Sequence, residues 1–288
     1  MATTRALVVG GTGGIGYAMA VRLAGESASS RIIISGRNKP KNIPHPNMEF
    51  KPLDASSMRS IKKYTDAFKS SEPEPLDYLI LTQGIGTMAG RTETAEGIDN
   101  KMALHFYGKQ LLIRELLPAL KQDGRVVIVL DGKTGKAPTQ LDWTDLDLKR
   151  TFGIANAAKH CVTMTDAMIL SLAAKQAAEG SGSRHFVHAY PGFVDTSITG
   201  KLPWIVRPLA KGLSAILAVS PETCAEHMVT GMRTLTAEGD KVGRFSTFMD
   251  NKGHLVNGKP EWSAEQIKGI EDHTWKIIED ALNTPSSS

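Results

Sequence analysis

The chain has 288 residues, 41% of them hydrophobic, which is enough for a sizeable buried core. Its formal net charge of +4 comes from dispersed lysines and arginines with no basic block, which argues against a nucleic-acid-binding protein. Two cysteines, Cys161 and Cys224, exclude a disulfide framework and a cysteine-rich metal centre, and no run of about 18 apolar residues is available to span a bilayer.

The first expected element is a strand over 5–10, containing Ala6-Leu7-Val8-Val9. It runs directly into Gly10-Gly11-Thr12-Gly13-Gly14-Ile15-Gly16 and a helix over 14–25. A second strand is expected over 31–35 and a third over 48–52. Between them residues 38–47, with three prolines and three asparagines, read as a surface loop. A helix over 56–70, a loop over 71–75 and a strand over 76–82 follow. Then come a long helix over 98–122, a strand over 124–130 and a long helix over 152–180. The chain ends with a strand over 185–190, a helix over 220–236, a strand over 244–249 and a helix over 263–282. The apolar runs Ile32-Ile33-Ile34 and Val126-Val127-Ile128-Val129-Leu130 are continuous rather than alternating, as in strands covered on both faces. Alternating strands and helices with a glycine-rich first turn predict an α/β fold with a Rossmann-like doubly wound parallel sheet. A single domain over 1–288 is expected, its cofactor half at about 1–135.

A glycine turn between a strand and a helix lets a pyrophosphate approach the helix N-terminus, where free N–H groups and the dipole favour anions. Gly10, Thr12, Gly13, Gly14, Ile15 and Gly16 are therefore candidate cofactor residues. The end of the second strand separates NAD from NADP. A carboxylate there would bind a ribose 2′-hydroxyl, but the chain reads Ser35-Gly36-Arg37-Asn38-Lys39. Arg37 suits a 2′-phosphate and Lys39 adds charge, so NADP(H) is the expected cofactor.

These residues resemble the short-chain dehydrogenase/reductase superfamily, and the similarity covers most of the chain. Leu81-Thr82-Gln83-Gly84 stands where that family has Asn-Asn-Ala-Gly, and Pro191-Gly192-Phe193-Val194-Asp195-Thr196 is similar to its Pro-Gly-x-Val-x-Thr loop. The resemblance implies cofactor contacts from Asp54, Gln83, Gly84, Pro191, Gly192, Val194 and Thr196, with Lys159 holding the nicotinamide ribose. It also implies a substrate lid at about 197–219.

The departures carry as much weight as the match. Where the family has Tyr-x-x-x-Lys, this chain has Ala155-Asn156-Ala157-Ala158-Lys159. The family serine falls on Asp131 or Gly132, and the family asparagine on His105. Three of four catalytic positions are thus replaced. His105, Asp131 and Lys133 are ionisable and are expected to converge on the nicotinamide, where, with Lys159, they are the catalytic candidates. Asp131 reads equally as a carboxylate capping a turn, and His105 as a helix histidine bonded to backbone. Tyr190, just before Pro191, reads as a core strand residue or as a phenol offered to the pocket. Asp166 reads as structural. The segment Leu141–Leu148 is similar to one in fungal natural-product enzymes of the superfamily, which points to secondary metabolism; its acids also read as a helix start favoured by the dipole.

A ketone needs a proton as it accepts hydride, whereas an iminium is already cationic and an activated alkene is protonated late, at carbon. An NADPH-dependent reductase with a non-standard site, acting on an iminium-like or conjugated hydrophobic small molecule, is the expected function. The alternatives are a non-redox isomerase or cyclase, and a non-catalytic NADP(H)-binding protein whose pocket Trp143 or Trp204 would fill. The apolar stretch 198–219, flanked by Lys201, Arg207 and Lys211, would cover the substrate. With no signal-like segment before the first strand, a cytoplasmic setting is expected. A homo-oligomer is left open, no nucleic acid or membrane span is expected, and 285–288 read as a frayed tail.

Overall fold

The computed structural model describes residues 3–72, 74–180, 182–194 and 218–284. Seven strands form one parallel sheet: β1 (Arg5–Val9), β2 (Arg31–Gly36), β3 (Met48–Pro52), β4 (Leu76–Leu81), β5 (Leu120–Val129), β6 (His185–Ala189) and β7 (Ser246–Met249). Their order is β3-β2-β1-β4-β5-β6-β7. Every neighbouring pair is parallel, with Leu7 opposite both Ile33 and Leu79 at the centre. The order in which strands are added reverses between β1 and β4, and that switch opens a crevice at the carboxyl ends of the strands.

Helices cover both faces, which is why the strand sequences are continuously apolar. One face carries α1 (Gly14–Glu26) and α6 (Pro221–Val242), packed over Val8, Ile34, Ile80, Val127 and Val187. On the other lie α2 (Met58–Ser71), α3 (Asn100–Met102), α4 (Gly108–Leu116), α5 (Ile154–Glu179) and α7 (Ala264–Asn283), around Leu7, Ile33, Leu79, Ile128 and Phe186. Helix ends follow local chemistry. Ser57 caps α2 by accepting from the Ser60 N–H, Ser263 and Gln266 make a reciprocal box at α7, and α5 stops at Gly180 in the left-handed region.

Three expectations change. The long helix expected over 98–122 is α3, then a π turn over Ala103–Tyr107, then α4. Pro118 then lies in a tight turn over Leu117–Ala119, and the strand begins at Leu120, earlier than expected. A proline has no N–H to continue the ladder, so the helix stops there. The acids of 142–147 do not start a helix. Asp145 instead accepts the N–H groups of Lys149, Arg150 and Thr151 within a turn, and α5 begins only after Gly153. The helix expected over 220–236 continues to Val242.

The lid expected over 197–219 lies outside the described residues except for its last two, and Trp204, Lys201, Arg207, Lys211 and the tail 285–288 lie outside them entirely. Among the described residues no helix is long and apolar enough to cross a membrane.

Candidate functional site

A cavity of about 520 Å³ opens at the carboxyl ends of β1, β2 and β4. Its floor is the glycine turn: Gly10, Thr12, Gly13, Gly14, Ile15 and Gly16 all line it. Gly10 has φ +83°, and both its N–H and that of Gly11 are held by the Ser35 carbonyl. A Cβ on Gly16 would lie 2.6 Å from the Gly10 oxygen, so the turn can close onto the helix only without side chains. The start of α1 has no side-chain cap, and a Cβ on Gly13 would meet nothing within 4 Å. Uncapped helix N–H groups therefore face a space with room for an anion.

The wall at the second strand is Gly36 and Arg37, followed by Leu53, Asp54 and Ala55. Arg37 is exposed and free to reach a ligand in the cavity. The Asp54 carboxylate is tied locally, accepting from the Ser56 N–H at 3.0 Å and the Ser56 hydroxyl at 2.6 Å. Two residues expected at the end of β2 to bind the cofactor do not line the cavity. The Ser35 hydroxyl is buried and bonded to Tyr64 Oη at 2.7 Å, and Lys39 is exposed in the following loop.

The third wall is Thr82, Gln83, Gly84 and Leu104. Gln83 is only 7% exposed, yet neither its amide nitrogen nor its amide oxygen has a hydrogen-bond partner. A buried amide without partners is costly unless something else completes it, so its place on this wall marks a ligand position. His105 lies behind the same wall. Its Nε2 accepts the Ile85 N–H at 2.9 Å, and a Cβ on Gly84 would lie 3.2 Å from that atom. Burial, with the Lys109 cation next in weight, pushes the His105 imidazole down to about 4. A neutral imidazole bonded to backbone latches the Gly84–Ile85 turn and is too weak an acid to donate a proton near neutral pH.

Lys109, one helical turn further on, braces the strand ends beneath this wall and was not among the residues expected at the site. Its side chain is fully buried, and Nζ donates to the Leu81 carbonyl at 3.3 Å and the Val129 carbonyl at 3.1 Å, joining the ends of β4 and β5. Burial pushes the ammonium down to about 7. Its apolar neighbours on α4 were the available signal.

Beyond the cavity, at the ends of β5 and β6, lie the other catalytic candidates. The Asp131 carboxylate accepts from the Lys133 and Thr134 N–H groups at 3.2 and 3.0 Å and from the Thr134 hydroxyl, so it caps its own turn. Lys133 is exposed, its ammonium 6.0 Å from the Tyr190 ring centre. Asp131 and Lys133 therefore gather around Tyr190, whereas His105 belongs to the Gly84 wall; the expected convergence of all three is only partial. Lys159 is half-buried on α5, has no hydrogen-bond or ion-pair partner among the described residues, and does not line the cavity.

The loop holding Asp131 rests on a buried network of groups far apart in sequence, in which Asp166 has the structural role expected of it. His188 Nδ1 meets Asp166 Oδ1 at 2.7 Å, and Asp166 Oδ2 meets Lys259 Nζ at 2.5 Å. His188 Nε2 accepts the Asp131 N–H at 3.3 Å, and Lys259 donates to the Gly132 carbonyl at 3.2 Å. A Cβ on Gly135 would lie 1.8 Å from Asp166 Oδ2, so only glycine lets the loop lie this close.

Pro191, Gly192, Phe193 and Val194 close the cavity from above β6, and Gly192 has φ +73°. Asp195 and Thr196, the latter an expected cofactor residue, lie outside the described residues. Trp143 does not fill the cavity: its indole N–H donates to the Pro138 carbonyl and its ring packs on Gly269. Among the described residues no group of three or more His, Cys, Asp or Glu could hold a metal ion.

Residues 4–140 match the family model described as short chain dehydrogenase. Over 286 residues the chain is 33% identical to the oxidoreductase AN1596 of Emericella nidulans, covering 92% of this chain and 79% of that protein. It is 28% identical over 251 residues to the polyprenol dehydrogenase of Homo sapiens, covering 81% and 74% of the two chains. In three dimensions it is similar to the NADPH-bound carbonyl reductase from chicken fatty liver, with a TM-score of 0.59 at 17% identity, over 89% of this chain and 99% of that one.

Proposed function

The chain belongs to the short-chain dehydrogenase family of oxidoreductases, and from that premise we propose that it is an NADP(H)-dependent reductase of a hydrophobic, iminium-like or conjugated small molecule. The observation that carries the cofactor reading is Arg37 on the wall of a cavity floored by the glycine turn, with no carboxylate at the end of β2. A guanidinium there suits a 2′-phosphate and a carboxylate would repel it. The residues present fit the dinucleotide. Uncapped α1 N–H groups suit the pyrophosphate, and the unpartnered Gln83 amide offers both a donor and an acceptor to a ribose.

When bound, the nicotinamide supplies or takes up a hydride. The chain's own residues decide what can receive it. Ala155 stands where the family tyrosine would be, and Asp131 and Gly132 where its serine would be, so no hydroxyl at those positions protonates a nascent alkoxide. A substrate already cationic, or one protonated late at carbon, avoids that requirement. The Asp131 carboxylate at the end of β5 suits a positive substrate better than a negative one. The human relative is by name a polyprenol dehydrogenase, which fits an extended apolar substrate.

Calorimetric titration with NADPH and NADH, on the wild type and on Arg37→Ala, tests the cofactor reading. Micromolar NADPH binding that is lost in the variant supports it. Equal affinity for the two nucleotides overturns it.

A further inference from the structure

We propose that Tyr190, at the end of β6, is the proton donor of this site, with Lys133 as the cation that steadies the phenolate left behind. The assignment rests on the reductase reading above and names the residue that takes over from the tyrosine missing at Ala155.

Tyr190 continues the β6 ladder, its N–H donating to the Met249 carbonyl at 2.8 Å. Side chains alternate along a strand. Phe186 lies in the core beneath α5 and His188 bonds Asp166 of α5, whereas Val187 and Ala189 lie in the core of the opposite face. Tyr190 therefore stands on the α5 face, the face that bears Ala155 and Lys159. It is next to Pro191, where the cavity wall begins.

The Tyr190 ring is half-buried, and its hydroxyl has no hydrogen-bond partner among the described residues. The other buried tyrosines are engaged: Tyr64 with Ser35, Tyr78 with Arg233, and Tyr107 with His273. Burial and then the Asp131 carboxylate raise the Tyr190 phenol above its ordinary value, so it is protonated and ready to act as an acid. The Lys133 ammonium, 6.0 Å from the ring centre, opposes the charge that develops when the proton leaves. The loop carrying Asp131 and Lys133 is fixed from below by His188 and Lys259, so these charges have a defined place.

With a reduced nicotinamide bound, the β-carbon of a conjugated ketone would gain a hydride with its electron pair, leaving the nicotinamide oxidised, as the alkene electrons move towards the carbonyl. The α-carbon of the resulting enolate takes the phenolic proton of Tyr190. The O–H bond breaks, and the phenolate recovers its proton from water. An iminium carbon that gains the hydride is neutralised at once and draws on no phenol.

The test uses two probes with NADPH, 2-cyclohexen-1-one and the preformed N-methyl-3,4-dihydroisoquinolinium cation. It also follows tyrosinate absorbance against pH. In Tyr190→Phe the ratio of enone to iminium reduction should fall about 100-fold, within the range a general acid contributes. The tyrosinate step absent from Tyr190→Phe should move to lower pH in Asp131→Asn and to higher pH in Lys133→Ala. A rate ratio within about twofold of the wild type, or a step unmoved by both substitutions, overturns the assignment alone. Reduction of neither probe by the wild type overturns the hydride reading and this assignment with it.

Discussion

His188 and Asp166 are joined in the interior, Nδ1 to Oδ1 at 2.7 Å, directly beneath the loop that replaces the family's serine. The opposite ring nitrogen accepts the Asp131 N–H, so both ring nitrogens are engaged. Lys259 completes the charge balance on the second carboxylate oxygen. One carboxylate on α5 thus connects the last stretch of the chain, the end of β6 and the loop after β5.

Removing that carboxylate should be expensive. Asp166→Asn leaves the Lys259 ammonium in a site only 12% exposed with no counter-charge, a change that costs about 3 kcal/mol. The double substitution Asp166→Asn with Lys259→Met should cost clearly less than the sum of the singles, because it removes the stranded charge. Urea unfolding of all four proteins measures both numbers. Additive costs would show that the two groups are not coupled.

Lys109 predicts an unusual dependence of stability on pH. The folded protein holds its ammonium down at about 7, against an ordinary value of 10.5, so between those values the unfolded chain binds more protons at this site. The contribution of Lys109 is then most favourable above 10.5 and is lost as pH falls through that window to about 7, below which it is constant. The stability difference between the wild type and Lys109→Met should therefore swing towards the wild type as pH rises across the window. A difference that stays flat in urea titrations would mean that Lys109 is not held down.

The fold was legible because its signals are local. Gly10 to Gly16 between two apolar elements and the unbroken Ile32–Ile34 run each report a whole layer of the structure. What escaped depends on contacts remote in sequence. His188, Asp166 and Lys259 belong to a strand, a helix and a loop, and nothing within a short window of any of them announces the other two. Lys109 carries no motif of its own, and its place under two strand ends depends on β4 and β5. Asp131 was correctly placed at the end of β5, but whether its carboxylate faced a ligand or its own turn depended on the Lys133 and Thr134 N–H groups. The strand start at Leu120 was hidden because Lys121, Gln122 and Asp123 are polar and follow a helix pattern that only Pro118 interrupts.

Gln83 should give opposite effects with and without nucleotide. Its unpartnered amide destabilises the empty protein, so Gln83→Leu should raise the melting temperature of the ligand-free form by a few degrees, a gain on the order of 1 kcal/mol. The same substitution should weaken NADPH and NADH alike, by about 3- to 10-fold, the worth of one or two neutral hydrogen bonds. Arg37→Ala, by contrast, should weaken NADPH alone. Thermal shift with and without each nucleotide reads all of these at once. A variant that loses stability when empty would show that the Gln83 amide is satisfied within the protein.

Restoring the family tyrosine should widen the substrate range. Ala155 is exposed on the first turn of α5, so a larger side chain can be accepted there without repacking the core. It lies four residues before Lys159, and on a helix that spacing puts the two side chains on one face. Ala155→Tyr would then place a phenol beside an ammonium, the combination that lowers a phenol's pKa and delivers a proton to an alkoxide. The variant should reduce cyclohexanone with NADPH at least about 10-fold faster than the wild type, while its rate on a preformed iminium changes far less. Equal gains on both probes would mean that the new ring improves binding and not proton delivery. No gain on the ketone would mean that the wild type already delivers a proton there, and that substrate choice is set by the shape of the pocket and not by the lost hydroxyl.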